Sequence, residues 1–102
     1  MIRYTISLAL ALALTGCGGF QKGAEDAVRK SLKDPDSAQF GNFYFNKKTQ
    51  KGCLTVNAKN SMGGYTGDQQ AYVRHTDAGW TEQGIADIPL DSCKEIYADE
   101  AY

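Results

Sequence analysis

The chain has 102 residues, 42% of them hydrophobic and 23% charged, which is the balance of one folded domain and leaves no room for two cores. Its 11 Lys+Arg against 12 Asp+Glu give a net charge of -1, so there is no cationic excess to neutralise a run of phosphates, and nucleic acid is not expected as a partner. Three cysteines are an odd number, and a disulfide requires that one of them have another fate.

The first segment in chain order supplies that fate. Met1-Ile2-Arg3 is a charged beginning, Tyr4 to Leu14 is apolar apart from Thr5 and Ser7, and Thr15-Gly16 places small residues before Cys17. The apolar run is well short of the ~20 residues a membrane-spanning helix needs, so residues 1–16 read as a cleaved targeting segment. Leu14-Thr15-Gly16-Cys17 resembles the lipobox of bacterial lipoproteins. The resemblance implies that Cys17 is acylated, becomes the new N-terminus and holds the protein to a membrane, each buried CH₂ contributing ~0.8 kcal/mol. An ordinary secretory signal with a coincidental cysteine is the alternative. Families that sort by the next residue retain Asp at the inner membrane; Gly18 therefore points to the outer membrane, with its periplasmic face the expected location.

Removal of residues 1–16 leaves 86 of the 102 residues: Cys17 to Gly19 as a short tether and residues 20–102 as one small domain. A core of that size commonly needs a staple. With Cys17 lipidated, Cys53 and Cys93 remain as an even pair in an oxidising compartment. Joining them would remove on the order of 4 kcal/mol of unfolded-state entropy in the chain-entropy model. A reactive dithiol would want Cys-x-x-Cys spacing or a strongly basic neighbourhood, and Lys94 is the only adjacent charge. The pair reads as structural.

Phe20, Ala24, Ala27, Val28, Ser31 and Leu32 form the stripe of an amphipathic helix, with Lys22, Glu25, Asp26, Arg29, Lys30 and Lys33 on its other face. Acidic residues lead and basic ones follow, which suits the helix dipole. The helix is expected to stop near Lys33, because Asp34 precedes Pro35. Asp34-Pro35-Asp36-Ser37 reads as a turn held by Asx hydrogen bonds. Phe40 to Phe45 reads as a strand, and Cys53 to Ala58 as its hairpin partner, with Leu54, Val56 and Ala58 on one face. Ser61 to Asp68 is glycine-rich and reads as a loop. Gln70 to His75 resumes strand alternation, Asp77-Ala78-Gly79 turns the chain, and a last strand runs from Trp80 towards Ile85 and Ile88. Pro89 ends it. Ser92-x-x-Glu95 has the spacing of a capping box, with Ile96 and Tyr97 starting an apolar face, so a short C-terminal helix is expected. The fold class is α+β: an N-terminal amphipathic helix, a three- to four-stranded antiparallel sheet, a short C-terminal helix and one disulfide.

The inventory argues against catalysis. His75 is the only histidine, it lies on a strand pattern beside Arg74, and no nucleophile signature such as Gly-x-Ser-x-Gly is present. One imidazole with both remaining cysteines bridged cannot form the usual Cys/His zinc site. No catalytic residue, metal or cofactor is expected. Asp34 and Asp36 could pair as carboxylates, but beside a proline they serve more simply as turn formers.

The two most distinctive stretches are Leu32-Lys33-Asp34-Pro35-Asp36-Ser37-Ala38-x-Phe40 and Cys53-x-x-Val56-Asn57-Ala58-Lys59-Asn60-x-x-Gly63-Gly64-Tyr65-x-Gly67. Together they resemble a group of small uncharacterised exported proteins and lipoproteins of Gram-negative bacteria and their prophages, over roughly residues 28–73. The resemblance implies a compartment and a fold, and brings no activity, cofactor or ligand. Read physically, Asn57 and Asn60 can bond backbone groups at a strand end, and Gly63 and Gly64 permit a tight loop. Tyr65 then either folds back as a lid on the core or is presented, with Lys59 and Asn60 beside it, as a recognition surface. Asn57, Lys59, Asn60, Gly63, Gly64 and Tyr65 are therefore the candidate binding loop. Lys47, Lys48 and Lys51 read as a solvated hairpin tip or, second, as a contact for anionic headgroups.

The function expected is a non-catalytic, lipid-anchored module that binds another envelope protein or a glycan near the membrane surface, a protein being the expected partner. The alternative is an inhibitor of an incoming hydrolase or phage component; lipoprotein lysozyme inhibitors are similar in size and anchoring, but they are closed barrels of more strands. The short tether places the site of action at the membrane face, through either the Gly63-Gly64-Tyr65 loop or the Lys47-Lys48 hairpin.

Overall fold

The structure is a computed structural model and describes residues 19–99; the segment expected to be a targeting signal, and Cys17, lie outside them. Helix α1 covers residues 19–29, a single 3₁₀ turn covers Pro35–Ser37, and four strands follow: β1 (Gln39–Asn46), β2 (Lys51–Asn57), β3 (Gln69–Thr76) and β4 (Gly79–Ala86). Helix α2 (Leu90–Asp99) closes the described chain. The strands pair antiparallel in the order β1-β2-β3-β4, so each lies beside its neighbour in sequence. No helix among the described residues is long and apolar enough to cross a membrane.

The sheet is covered by one helix on each face, and the period-two rule decides which residues meet which helix. Leu54 and Val56 of β2 and Ala71 and Val73 of β3 pack with Ala24 and Val28 of α1, all buried. The alternate position Cys53 faces the other way and packs with Cys93 and Tyr97 of α2, flanked by Tyr44 and Tyr72. The Cys53–Cys93 disulfide bonds β2 to α2 across 40 positions, as expected from the sequence. A bulge between Phe40 and Phe43 lets both rings stay on the α1 face, and a second lies between Tyr72 and Val73 opposite β4.

The helices depart from the sequence expectation at their ends. Ala24 and Val28 of the α1 stripe are buried as expected, but Phe20 and Ser31 are exposed and the regular helix ends at residue 29, short of Lys33. Ser31 N–H donates to Val28 C=O at 3.0 Å and Leu32 N–H to Arg29 C=O at 3.1 Å, the tighter bonds with which a helix runs out, while the Ser31 hydroxyl donates to the same Val28 carbonyl at 2.9 Å. At the other end of the chain Ser92 is not a cap. Helix α2 begins directly after Pro89, whose carbonyl accepts from Ser92 N–H at 3.1 Å and Cys93 N–H at 3.4 Å, so Ser92 lies inside the first turn. The buried face is Leu90, Cys93 and Tyr97, at helical spacing, and Ile96 is 46% exposed.

Candidate functional site

The strand directions give the sheet two distinct ends. Eight-residue β1 ends at Asn46, so the turn of residues 47–50 and the β3–β4 turn at residues 77–78 share one end. The 3₁₀ turn at Pro35–Ser37 and the loop of residues 58–68 share the other. An eight-residue strand puts them about 23 Å apart. Helix α1 starts at the first end, where Phe20 meets Phe45 and His75, and reaches the second, where the Arg29 guanidinium lies 4.9 Å from the Phe40 ring centroid. Helix α2 runs the opposite way, from Pro89 to Tyr97, whose carbonyl accepts from Asn46 Nδ2 at 2.9 Å.

At the far end, away from the start of α1, the candidate binding residues form one hydrogen-bonded unit. Lys59 and Tyr65 face each other as an antiparallel bridge, and Thr66 N–H donates to Ala58 C=O at 3.1 Å, so the loop is a small hairpin continuing out of β2. Asn60 closes its tip. The Asn60 side-chain oxygen accepts from Met62 N–H at 2.9 Å and Gly64 N–H at 3.2 Å, while its backbone N–H donates to Gly64 C=O at 2.8 Å. Asn57 Oδ1 accepts from Gly67 N–H at 3.1 Å where the hairpin rejoins β3. Gly63 and Gly67 hold φ of 83° and 88°, the left-handed region in which a Cβ is penalised. Gly63 and Gly67 thus have a backbone reason, whereas Gly64 has no positive φ.

This hairpin is pinned to the other distinctive stretch of the sequence. The Ser37 hydroxyl accepts from Lys59 N–H at 2.8 Å and donates to Asp34 C=O at 2.8 Å; the Tyr65 hydroxyl donates to Ser37 C=O at 3.3 Å. Asp34 makes no side-chain cap bond. The turn is therefore set by Pro35 and the Ser37 hydroxyl and not by Asx bonding. Tyr65 is neither a lid on the core nor fully presented: the residue is 47% exposed, with the Lys59 ammonium 5.6 Å from its ring centroid. Met62, at the tip, is 92% exposed.

Beside this loop, on the α2 face, lies a shallow cleft of about 280 Å³ lined by Asn42, Asp68, Asp87 and Leu90 over a floor of Thr55 and Gln70. Thr55 and Gln70 are buried polar residues whose side chains bond at 3.1 Å across β2 and β3. The sequence reading missed them. Their signal was polarity at positions that share a sheet face with Cys53 and Tyr72.

At the near end Phe20, Phe43, Phe45, His75 and Trp80 form a ring cluster with centroids 4.8–6.4 Å apart, mostly edge to face. Gly23 admits the Trp80 indole, because a Cβ there would stand 2.6 Å from Trp80 Cδ1. His75 spends its ring in this cluster, with Nδ1 3.1 Å from Gln50 Oε1. Lys47 and Lys48 sit exposed on the adjoining turn, whose form comes from Asn46 Oδ1 accepting Lys48 N–H at 2.9 Å. Among the described residues no group of three or more His, Cys, Asp or Glu could hold a metal ion. No family model, curated protein or solved structure matches the chain.

Proposed function

We propose that this is a lipid-anchored envelope lipoprotein, of the small Gram-negative and prophage group its two motifs resemble, acting as a non-catalytic binding module. Its anchor is Cys17, and its compartment is the periplasmic face of the outer membrane. The observation that carries the binding role is the far-end hairpin: a loop fixed by Asn57, Asn60 and Ser37 that leaves Met62 and half of Tyr65 uncovered. A rigid loop loses little entropy on binding, and its exposed thioether and phenol offer adaptable apolar and polar contact to an envelope protein. The same rigidity serves an inhibitor that plugs the cleft of an incoming hydrolase, although an open four-stranded sheet differs from the closed barrels of the lipoprotein lysozyme inhibitors.

The test is a photocrosslinking residue at Met62 in cells carrying the full chain. One stoichiometric envelope protein, lost in the Tyr65→Ser variant, is the expected result; a phage protein or lysozyme in its place identifies the inhibitor. Crosslinking unaffected by Tyr65→Ser overturns the loop's role. The anchor is tested separately: Cys17→Ala should give an uncleaved precursor or a soluble product, and a processed variant that still partitions as the parent does overturns lipidation at that residue.

A further inference from the structure

The near end carries a surface that the far-end hairpin does not explain. Phe20 is 43% exposed although it sits on the helix face that otherwise builds the core. It forms one wall of an open, mainly apolar groove of about 360 Å³, with Phe45, His75, Lys47 and Gln50 as the rest. Trp80 lies directly behind, 4.9 Å from Phe20 centroid to centroid. Lys47 lines the groove and Lys48 stands exposed beside it on the same turn. Aromatic rings with cationic side chains at their rim are the composition that settles at a membrane–water boundary, rings at the headgroup level and ammonium groups among the phosphates.

We infer that this end of the domain rests directly on an anionic phospholipid surface, with Phe20 and Phe45 at the interface and Lys47 and Lys48 on the headgroups. The inference rests on the lipidation of Cys17 proposed above. From Cys17 to Gly19 an extended chain spans at most about 7 Å, so the anchor holds the end of the domain where Phe20 begins α1 within contact of the bilayer, and keeps the far-end hairpin away from it. A surface contact that would be weak for a free domain is made intramolecular by the anchor, which raises its effective concentration. Each lysine near such a surface is worth about fivefold in partitioning. A protein partner would have to enter the same narrow gap between domain and bilayer.

Trp80 is the only tryptophan, so its fluorescence reports this face without ambiguity. The experiment uses the lipidated protein in vesicles of phosphatidylglycerol and phosphatidylethanolamine with bromine on the acyl chains, compared with unbrominated vesicles and with brominated phosphatidylcholine. Trp80 should be quenched in the brominated anionic vesicles, less in phosphatidylcholine, and less again at high salt. The double variant Lys47→Glu, Lys48→Glu changes two exposed side chains on a turn held by Asn46; it should still float with the vesicles and lose the quenching. A protein that does not float with vesicles overturns the anchoring reading. One that floats with Trp80 unquenched overturns the docking alone, and quenching that survives the charge reversal overturns the assignment to anionic headgroups.

Discussion

At the near end of the sheet the turns are short and the rings of Phe20, Phe43, Phe45, His75 and Trp80 are packed together, mostly edge to face, whereas at the far end the chain makes a long excursion held by hydrogen bonds from Ser37, Asn57 and Asn60. The burial that drives ring packing is non-directional, whereas hydrogen bonds from side chains to backbone fix a loop in one conformation. In the orientation proposed above, the near end lies on the bilayer and the far end presents a fixed shape. The two helices span both ends, which couples them into one unit.

The largest expected effect breaks the comparison by destabilising both ends together. Cys93→Ala removes the bond between α2 and β2 and should cost about 2–5 kcal/mol, read as a lower midpoint in denaturant with one cooperative transition. Thiol labelling of the denatured, non-reduced protein should find Cys53 and Cys93 unreactive.

Ser37→Ala acts on the far end alone. It deletes the acceptor for Lys59 N–H and the donor to Asp34, and should cost about 1–2 kcal/mol. Hydrogen exchange should quicken at residues 58–67, with Trp80 fluorescence unchanged. Exchange that quickens equally at residues 47–50 would show that the ends are not separable.

Gly23→Ala is the near-end counterpart. Alanine gains ~1 kcal/mol of helix propensity, but its Cβ meets the Trp80 indole, and overpacking of ~1–3 kcal/mol should leave a net loss of about 1 kcal/mol. Trp80 emission should shift while exchange in residues 58–67 holds. The smallest effect belongs to Asn60→Ala, about 0.5–1 kcal/mol for an exposed tip, with quickened exchange at the Met62 and Gly64 amides.

Much of the architecture was legible because it follows from local pattern. The α1 stripe of Ala24 and Val28, the alternation of Leu54 and Val56 against Cys53, and the pairing of Cys53 with Cys93 after Cys17 is set aside all express burial of one face at a fixed period or simple cysteine arithmetic. Local pattern misled where tertiary contact outweighed it. Ser92 and Glu95 have capping-box spacing, yet α2 starts at Leu90, so that Leu90, Cys93 and Tyr97 face the sheet and Cys93 meets Cys53. Nor could the sequence tell that Lys59 and Tyr65 would close on Ser37, since that contact depends on the length and register of β1 and β2, which set where two segments more than 20 positions apart arrive. The placement of Lys47 beside Phe20, and of the glycine-rich loop at the opposite end, was likewise decided by the antiparallel order of the strands and the direction in which α1 crosses them. Residue types and their spacing determined which faces are buried; only the assembled sheet determined which end of the molecule each loop occupies, because a strand carries its loops a fixed 3.3 Å per residue in whichever direction its neighbour allows.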